Sequence, residues 1–131
     1  MTNKTIKNIK VLIAEDEEVL RRMYLTKFGA EGFDVLPANN GEEAFRLALE
    51  NKPDIILLDV IMPLADGFAT LKKLKAEEKT KNIPVMMLTN LAQEPDLEEG
   101  KKLGAIDYLV KSNLTPSQVV EKIKKVLKLK K

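Results

Sequence analysis

Short, mostly apolar runs alternate with longer segments of mixed character along this chain. The runs occupy residues 9–14, 33–37, 55–58, 83–88 and 105–110. They are long enough for strands and too short for stable helices, and the third is apolar at every position, as in a strand buried on both faces. We therefore predict five strands. The third leads directly into Asp59, and Pro63 follows four positions later.

The segments between the strands carry apolar residues at helical spacing. Residues 17–30 place Leu20, Met23, Tyr24 and Phe28 on one predicted helix face. Further helix starts are predicted at Asn40, at Asp66-Gly67 and at Thr115-Pro116, and Gly104 is a candidate helix C-cap. Residues 94–103 are mostly charged, so we expect that helix to be the least stable element.

The pattern is a strand followed by a helix, repeated five times. Such alternation predicts an α/β fold in which a five-stranded parallel sheet has helices on both faces. We expect one domain over residues 9–128, a flexible N-terminus at 1–8 and a basic tail at 129–131.

Composition removes several classes of chemistry. The chain of 131 residues has no cysteine and no histidine, which excludes disulfides, thiolate metal sites and histidine-dependent triads. The net charge of +2 argues against direct nucleic-acid binding, and the lysines after position 120 are interpreted as a solvated helix face. With no apolar run near the ~18 residues of a membrane span and no signal peptide, we expect a soluble, cytoplasmic protein without membrane contact.

Polar residues stand where four of the predicted strands end. They are Glu15, Asp16, Asp59, Thr89 and Lys111. Each has an ordinary structural alternative, since acids cap helices, threonines occupy turns and loop lysines are solvated. In a parallel sheet, however, these positions share one edge, which is where ligands bind in open α/β folds.

Three carboxylates at one edge would raise each other's pKa unless a cation lay among them. Oxygen ligands without histidine or cysteine are typical of Mg²⁺ sites. Lys111 and the hydroxyl of Thr89 suit an anion, and Asp59 is placed to act as a nucleophile. The set therefore predicts a site for phosphoryl transfer.

The motifs around these positions resemble the receiver domain of two-component response regulators over residues 9–127. They are Glu15-Asp16-Glu17, Asp59-Val60-Ile61-Met62-Pro63 with Asp66-Gly67, Leu88-Thr89 and Tyr108-Leu109-Val110-Lys111. The resemblance implies a doubly wound, flavodoxin-like (βα)5 fold. It also implies a function in two-component signalling, in which phosphorylation switches a protein-binding face.

The same resemblance implies a role for each site residue. Asp59 would accept a phosphoryl group from a sensor histidine kinase or a phosphotransfer protein. Asp16, Asp59 and the backbone carbonyl of Ile61 would ligate Mg²⁺ (or Mn²⁺), and Glu15 would hold the metal through water.

Two further residues would contact the phosphoryl oxygens, namely Thr89 and Lys111. Tyr108 would be the switch aromatic, which turns inward as Thr89 moves. The structural alternative for Tyr108 is an aromatic side chain packed between sheet and helix.

The sequence departs from the family pattern at four positions, Glu15, Ile61, Asn90 and Ser112, of which Ser112 and Ile61 bear most on the site. Ser112 follows Lys111 where the family usually has a proline, whose cis bond aims the lysine. A cis Lys111-Ser112 bond would cost about 3–4 kcal/mol, so we expect this loop to be trans or strained. Ile61 is apolar where many receivers are polar, which predicts slow self-dephosphorylation.

Three functions remain open at this stage. The first is a phosphoacceptor receiver that acts on a downstream protein target or on a missing effector domain, as a monomer or as a weak dimer through the face of helix 4, strand 5 and helix 5. The second is a pseudo-receiver that binds partners without phosphorylation, which only Ser112 suggests. The third is a Mg²⁺-dependent aspartyl phosphatase, but Ile61 stands where such an enzyme needs a second aspartate.

Overall fold

A five-stranded parallel sheet with helices on both faces forms the core of the computed structural model, as predicted. The structure describes residues 9–62, 64, 66–89 and 94–129, so the predicted flexible N-terminus at 1–8 and the end of the tail at 130–131 lie outside the described residues. The strands are β1 (Lys10–Ala14), β2 (Asp34–Ala38), β3 (Ile55–Asp59), β4 (Val85–Thr89) and β5 (Asp107–Val110). The helices are α1 (Glu18–Ala30), α2 (Gly41–Asn51), α3 (Gly67–Ala76), α4 (Glu94–Lys102) and α5 (Pro116–Leu127).

Alternate residues of the strands point to opposite faces and build two separate apolar cores. One core contains Ile13 and Leu57 and packs against α1 and α5. The other contains Leu12 and Leu58 and packs against α2 and α3. Because both faces are covered, the central strands need apolar residues at every position, which explains the unbroken run before Asp59.

The strand order is β2-β1-β3-β4-β5. From β1 the chain adds β2 on one side, and it then returns to add β3, β4 and β5 on the other side, so the order switches between β1 and β3. Connections leave on opposite sides at such a point, so a crevice opens beyond the strand ends. The register pairs Ala14 with Leu58, Asp59 with Leu88, and Thr89 with Val110. The ends of β1, β3, β4 and β5 therefore lie at one level around this crevice.

Side-chain caps start three of the helices at the predicted residues. Asn40 Oδ1 accepts a hydrogen bond from the Glu43 amide at 2.8 Å, and Asp66 Oδ1 accepts one from the Ala69 amide at 2.8 Å. Thr115 forms a capping box with Gln118, and Pro116 occupies the first turn of α5. These bonds satisfy amides that the helix itself leaves unpaired.

Glycine is required where α3 begins. A Cβ on Gly67 would collide with the carbonyl oxygen of Asp59 and lie 2.8 Å from the Cα of Val60. The Gly67 amide also donates to the Val60 carbonyl at 2.8 Å. The close approach ties the start of α3 to the end of β3, next to the crevice.

β1 and β2 differ from the predicted bounds by a single residue, but two strand starts and one buried position were predicted wrongly. Ile83 donates its amide to Thr80 in a turn, and Ala105 donates to Gly100, so β4 and β5 each begin two residues later than predicted. Met23 is 45% exposed, because Tyr24 and Phe28 supply the buried face of α1. The predicted Gly104 C-cap is confirmed by a φ of +103° just after α4.

Candidate functional site

The five polar residues predicted at the strand ends line one cleft at the carboxyl edge of the sheet. The cleft has a volume of about 220 Å³, and its lining residues are Glu15, Asp16, Glu17, Asp59, Ile61, Thr89 and Lys111. Sequence positions as far apart as Glu15 and Lys111 meet there because the parallel register brings the ends of four strands together.

Three carboxylates form an acidic cluster in this cleft. Ligand oxygens of Glu15, Asp16 and Asp59 all lie within 4.8 Å of one another. Glu15 and Asp59 are buried, whereas Asp16 is exposed. A set of hard oxygen donors with one side open to water fits Mg²⁺ or Mn²⁺, which keep several water ligands.

Lys111 is bonded to two of these carboxylates. Its Nζ donates to Asp59 Oδ2 at 2.7 Å and also to Glu15 Oε1, and its side chain is only 8% exposed. Residues Lys111–Asn113 form a single 3-10 turn, and no peptide bond between described residues is cis, so Lys111-Ser112 is trans. A serine in place of the family's proline therefore leaves the lysine aimed at Asp59.

The surroundings of Asp59 raise the pKa of its carboxyl group. Burial raises the pKa of Asp59 from 3.8 to about 6, the hydrogen bond from Lys111 opposes this rise, and the charge of Glu15 adds to it. Burial lowers the pKa of Lys111, but its hydrogen bonds to Asp59 and Glu15 outweigh that effect, and the net pKa is raised. At neutral pH the pair is thus a buried carboxylate and an ammonium.

Backbone amides hold the second carboxylate oxygen of Asp59 and of Glu15. Asp59 Oδ1 accepts a hydrogen bond from the Ile61 amide at 3.2 Å. Glu15 Oε2 accepts one from the Glu17 amide at 3.1 Å, and the Glu15 amide donates to the Ala38 carbonyl at 3.1 Å. Both carboxylates are held from two sides, so little reorganisation is needed before they act.

Thr89 and Tyr108 occupy the last two strands. Thr89 is buried at the end of β4 and lines the cleft. Tyr108 is partly buried on the sheet face that carries α2 and α3, and a Cβ on Gly100 would lie 3.2 Å from its ring. The ring thus packs between the sheet and α4, which agrees with the structural alternative for this residue.

Two residues near the site were not predicted. Arg21 on α1 donates from Nη1 to the carbonyl oxygen of Glu15 at 2.9 Å. Tyr24 is buried, and this burial raises its pKa; the charge of Lys111 lowers the pKa, and the charges of Glu15 and Asp59 raise it. The helical pattern of α1 gave no sign of either role, because it predicts Arg21 as a surface residue and Tyr24 as a core residue.

Comparison with known proteins decides the family. The model of the response regulator receiver domain matches residues 11–124. This chain belongs to the response regulator receiver domain family. The acidic cluster of Glu15, Asp16 and Asp59 lies within the residues that the family model matches.

Curated relatives of the receiver domain are regulatory proteins. The transcriptional regulatory protein SrrA of Staphylococcus aureus is 38% identical over 119 residues, which are 91% of this chain and 48% of the relative. The probable transcriptional regulator ycf27 of Porphyridium aerugineum is 35% identical over 119 residues, with the same coverage of 91% and 48%. The chain spans about half the length of these relatives.

Solved structures with the same fold include chemotaxis proteins. The receiver domain is 32% identical to CheY4 of Vibrio cholerae, with a TM-score of 0.86 over 92% of this chain and 99% of that chain. A chain of the CheX-CheY-BeF3-Mg²⁺ complex from Borrelia burgdorferi is 29% identical, with a TM-score of 0.82 over 90% of this chain and 88% of that chain. In the described part of the receiver domain, no helix has the length and apolar character needed to cross a membrane.

Proposed function

We propose that Asp59 is the phosphoacceptor of this receiver domain and that its phosphorylation requires a divalent cation. The observation that carries the proposal is the position of its carboxylate. It is buried, it accepts a hydrogen bond from Lys111 at 2.7 Å, and it shares an acidic cluster with Glu15 and Asp16. A sensor histidine kinase or a phosphotransfer protein is the proposed donor.

The transfer is a substitution at phosphorus. An oxygen of the ionised Asp59 forms a bond to phosphorus while the bond from phosphorus to the donor's histidine nitrogen breaks, and the electron pair stays on that nitrogen. Lys111 is close enough to move from the carboxylate to a phosphoryl oxygen, where its charge offsets the charge that develops. Thr89, at the end of β4, is proposed to donate its hydroxyl to another phosphoryl oxygen.

The proposed metal ligands are Asp16, Asp59 and the carbonyl of Ile61, with Glu15 acting through water. Bound Mg²⁺ or Mn²⁺ would supply positive charge to the phosphoryl oxygens. The Borrelia relative was solved with Mg²⁺ and BeF3, and the acidic cluster here is suited to the same kind of ion. Exposure of Asp16 leaves the ion a path from solvent.

The switch is proposed to run from Thr89 through Tyr108 to the face formed by α4, β5 and α5. Tyr108 lies between the sheet and α4, so an inward rotation of its ring would change the packing of Gly100. Ile106, just before β5, is 48% exposed, and Nζ of Lys122 on α5 lies 4.0 Å from Oδ2 of Asp107 on β5. We propose that a downstream protein target, or a second copy in a weak dimer, binds this face.

One assay separates this function from its alternatives. The chain is incubated with Mg²⁺ and acetyl phosphate, and intact mass is recorded over time. A receiver gains one phosphoryl group, which Asp59→Asn abolishes and Asp34→Asn, the same change at an exposed position of β2, does not. An unmodified chain would favour the pseudo-receiver. Continuous turnover of phosphomonoesters would favour the phosphatase, for which apolar Ile61 provides no acid.

A further inference from the structure

Arg21 reaches back from α1 to the loop that carries two of the acids. Its Nη1 donates to the backbone carbonyl oxygen of Glu15 at 2.9 Å and lies 3.4 Å from that of Asp16. The next residue, Arg22, does something different. It is exposed and forms an ion pair with Glu18, one turn earlier, at 3.0 Å. Two adjacent residues of the same type thus have separate environments.

The loop that Arg21 contacts has few other restraints. Glu17, at the N-cap position of α1, makes no side-chain capping bond. The carboxylate of Glu15 takes that role by accepting the Glu17 amide at 3.1 Å. The guanidinium of Arg21 supplies a second restraint, through the carbonyl groups of Glu15 and Asp16.

Asp16 depends on this restraint more than the other two acids. The carboxylates of Glu15 and Asp59 are fixed by Lys111 and by backbone amides. Among the described residues, no side-chain hydrogen bond is seen for the carboxylate of Asp16, which is exposed. Its position follows from its backbone, and Arg21 is the side chain that bonds the backbone carbonyl groups of Glu15 and Asp16, next to the bond between the Glu15 carboxylate and the Glu17 amide.

We propose that Arg21 is a positioning residue for the divalent cation: it holds the Glu15-Asp16 backbone so that Asp16 meets Asp59 at ligand distance. The inference rests on the proposed metal ligands and extends them by one residue. Outer residues that orient metal ligands commonly change metal affinity by about 10- to 100-fold when they are removed. Since Arg21 is partly exposed, we expect the lower end of that range.

The charge of Arg21 would act in the opposite direction. A guanidinium near three carboxylates repels a cation, so losing it would tighten metal binding if charge alone mattered. Loss of the hydrogen bonds would weaken binding instead. The sign of the change in affinity therefore distinguishes positioning from simple electrostatics.

The test is calorimetric titration of the purified chain with Mg²⁺ alone. Arg21→Met should weaken binding about tenfold. Arg21→Lys, which keeps the positive charge but lacks the planar guanidinium group, should give an intermediate loss of Mg²⁺ affinity. Arg22→Met removes the same charge one position later and should leave the affinity unchanged. Urea unfolding of each variant checks that only folded protein is compared.

A second readout needs no metal. Hydrogen exchange of the Glu17 amide should be faster in Arg21→Met than in Arg22→Met, because the loop is released. Equal or tighter Mg²⁺ binding by both Arg21 variants would overturn the inference while leaving the proposed function intact. Failure of the unsubstituted chain to bind Mg²⁺ would overturn both.

Discussion

Lys111 and Asp59 form a buried ion pair at the centre of the site, with Nζ 2.7 Å from Oδ2. The same ammonium also pairs with Glu15, so one cation serves two buried carboxylates. Burial, with the charge of Glu15 added to it, explains why the pKa of Asp59 is raised although a lysine lies beside it. A second cation would complete the charge balance, which links the ion pair to metal binding.

Replacing Lys111 with methionine should destabilise the metal-free protein by about 3–5 kcal/mol, because two buried carboxylates then lie together without a cationic partner. Mg²⁺ should restore more stability to Lys111→Met than to the unsubstituted chain, since only the folded state binds it. Urea unfolding with and without Mg²⁺ measures both effects. Lys122→Met, at a 44% exposed side chain, is the control. Equal losses of unfolding free energy in Lys111→Met and Lys122→Met would contradict this explanation.

The raised pKa of Asp59 gives the stability a defined pH dependence. The folded protein binds this proton more tightly than the unfolded chain, so the contribution of Asp59 is present below pH 3.8 and is lost as the pH rises through about 6. Asp59→Asn, which never ionises, should therefore be more stable at neutral pH by about 1–2 kcal/mol. This advantage should vanish in acid. Denaturant unfolding of both proteins across the pH range measures it, and an advantage of Asp59→Asn that persists at about pH 3 would contradict this explanation.

Ile61 should make the aspartyl phosphate long-lived. Its side chain is 61% exposed at the cleft and offers no hydrogen bond to an attacking water. Ile61→Asn should accelerate self-dephosphorylation by about tenfold, the equivalent of one hydrogen bond in the transition state. Phosphate release after donor removal measures the rate. Leu64→Asn puts the same side chain in the same loop outside the cleft lining, and a similar acceleration there would refute the role of Ile61.

The proposed switch can be followed by tyrosine fluorescence, because the chain has two tyrosines and no tryptophan. In a Tyr24→Phe background, Mg²⁺ with beryllofluoride should change the emission of Tyr108. Thr89→Val should abolish the change because the hydroxyl is lost. Thr80→Val, at a buried threonine bonded to the Leu74 carbonyl at 2.7 Å, should retain it. A fluorescence change that persists in Thr89→Val would show that Tyr108 responds without the Thr89 hydroxyl, which contradicts the proposed switch.

The sheet and the site residues were predictable because they depend on local pattern. The unbroken apolar run before Asp59 requires a strand covered on both faces, and parallel strands place their ends together. Strand starts were less accurate, since the turns at Ile83 and Ala105 use residues as apolar as the strands that follow.

Other features depend on contacts that the sequence pattern does not contain. Arg21 and Arg22 are the same residue type side by side, and only the path of the β1–α1 loop distinguishes their partners. The isomer of the Lys111-Ser112 bond could not be predicted, because the sequence does not show whether Lys111 reaches Asp59 through a cis or a trans bond. The structure shows a trans bond.

The most direct test of the central claim is to locate the phosphoryl group. The chain is phosphorylated with acetyl phosphate and Mg²⁺, reduced with borohydride, which converts an aspartyl phosphate to homoserine, and mapped by tandem mass spectrometry. The account predicts homoserine at position 59, and none there when Mg²⁺ is omitted. Homoserine at another acidic residue, or modification of the Asp59→Asn variant to the same extent, would contradict it.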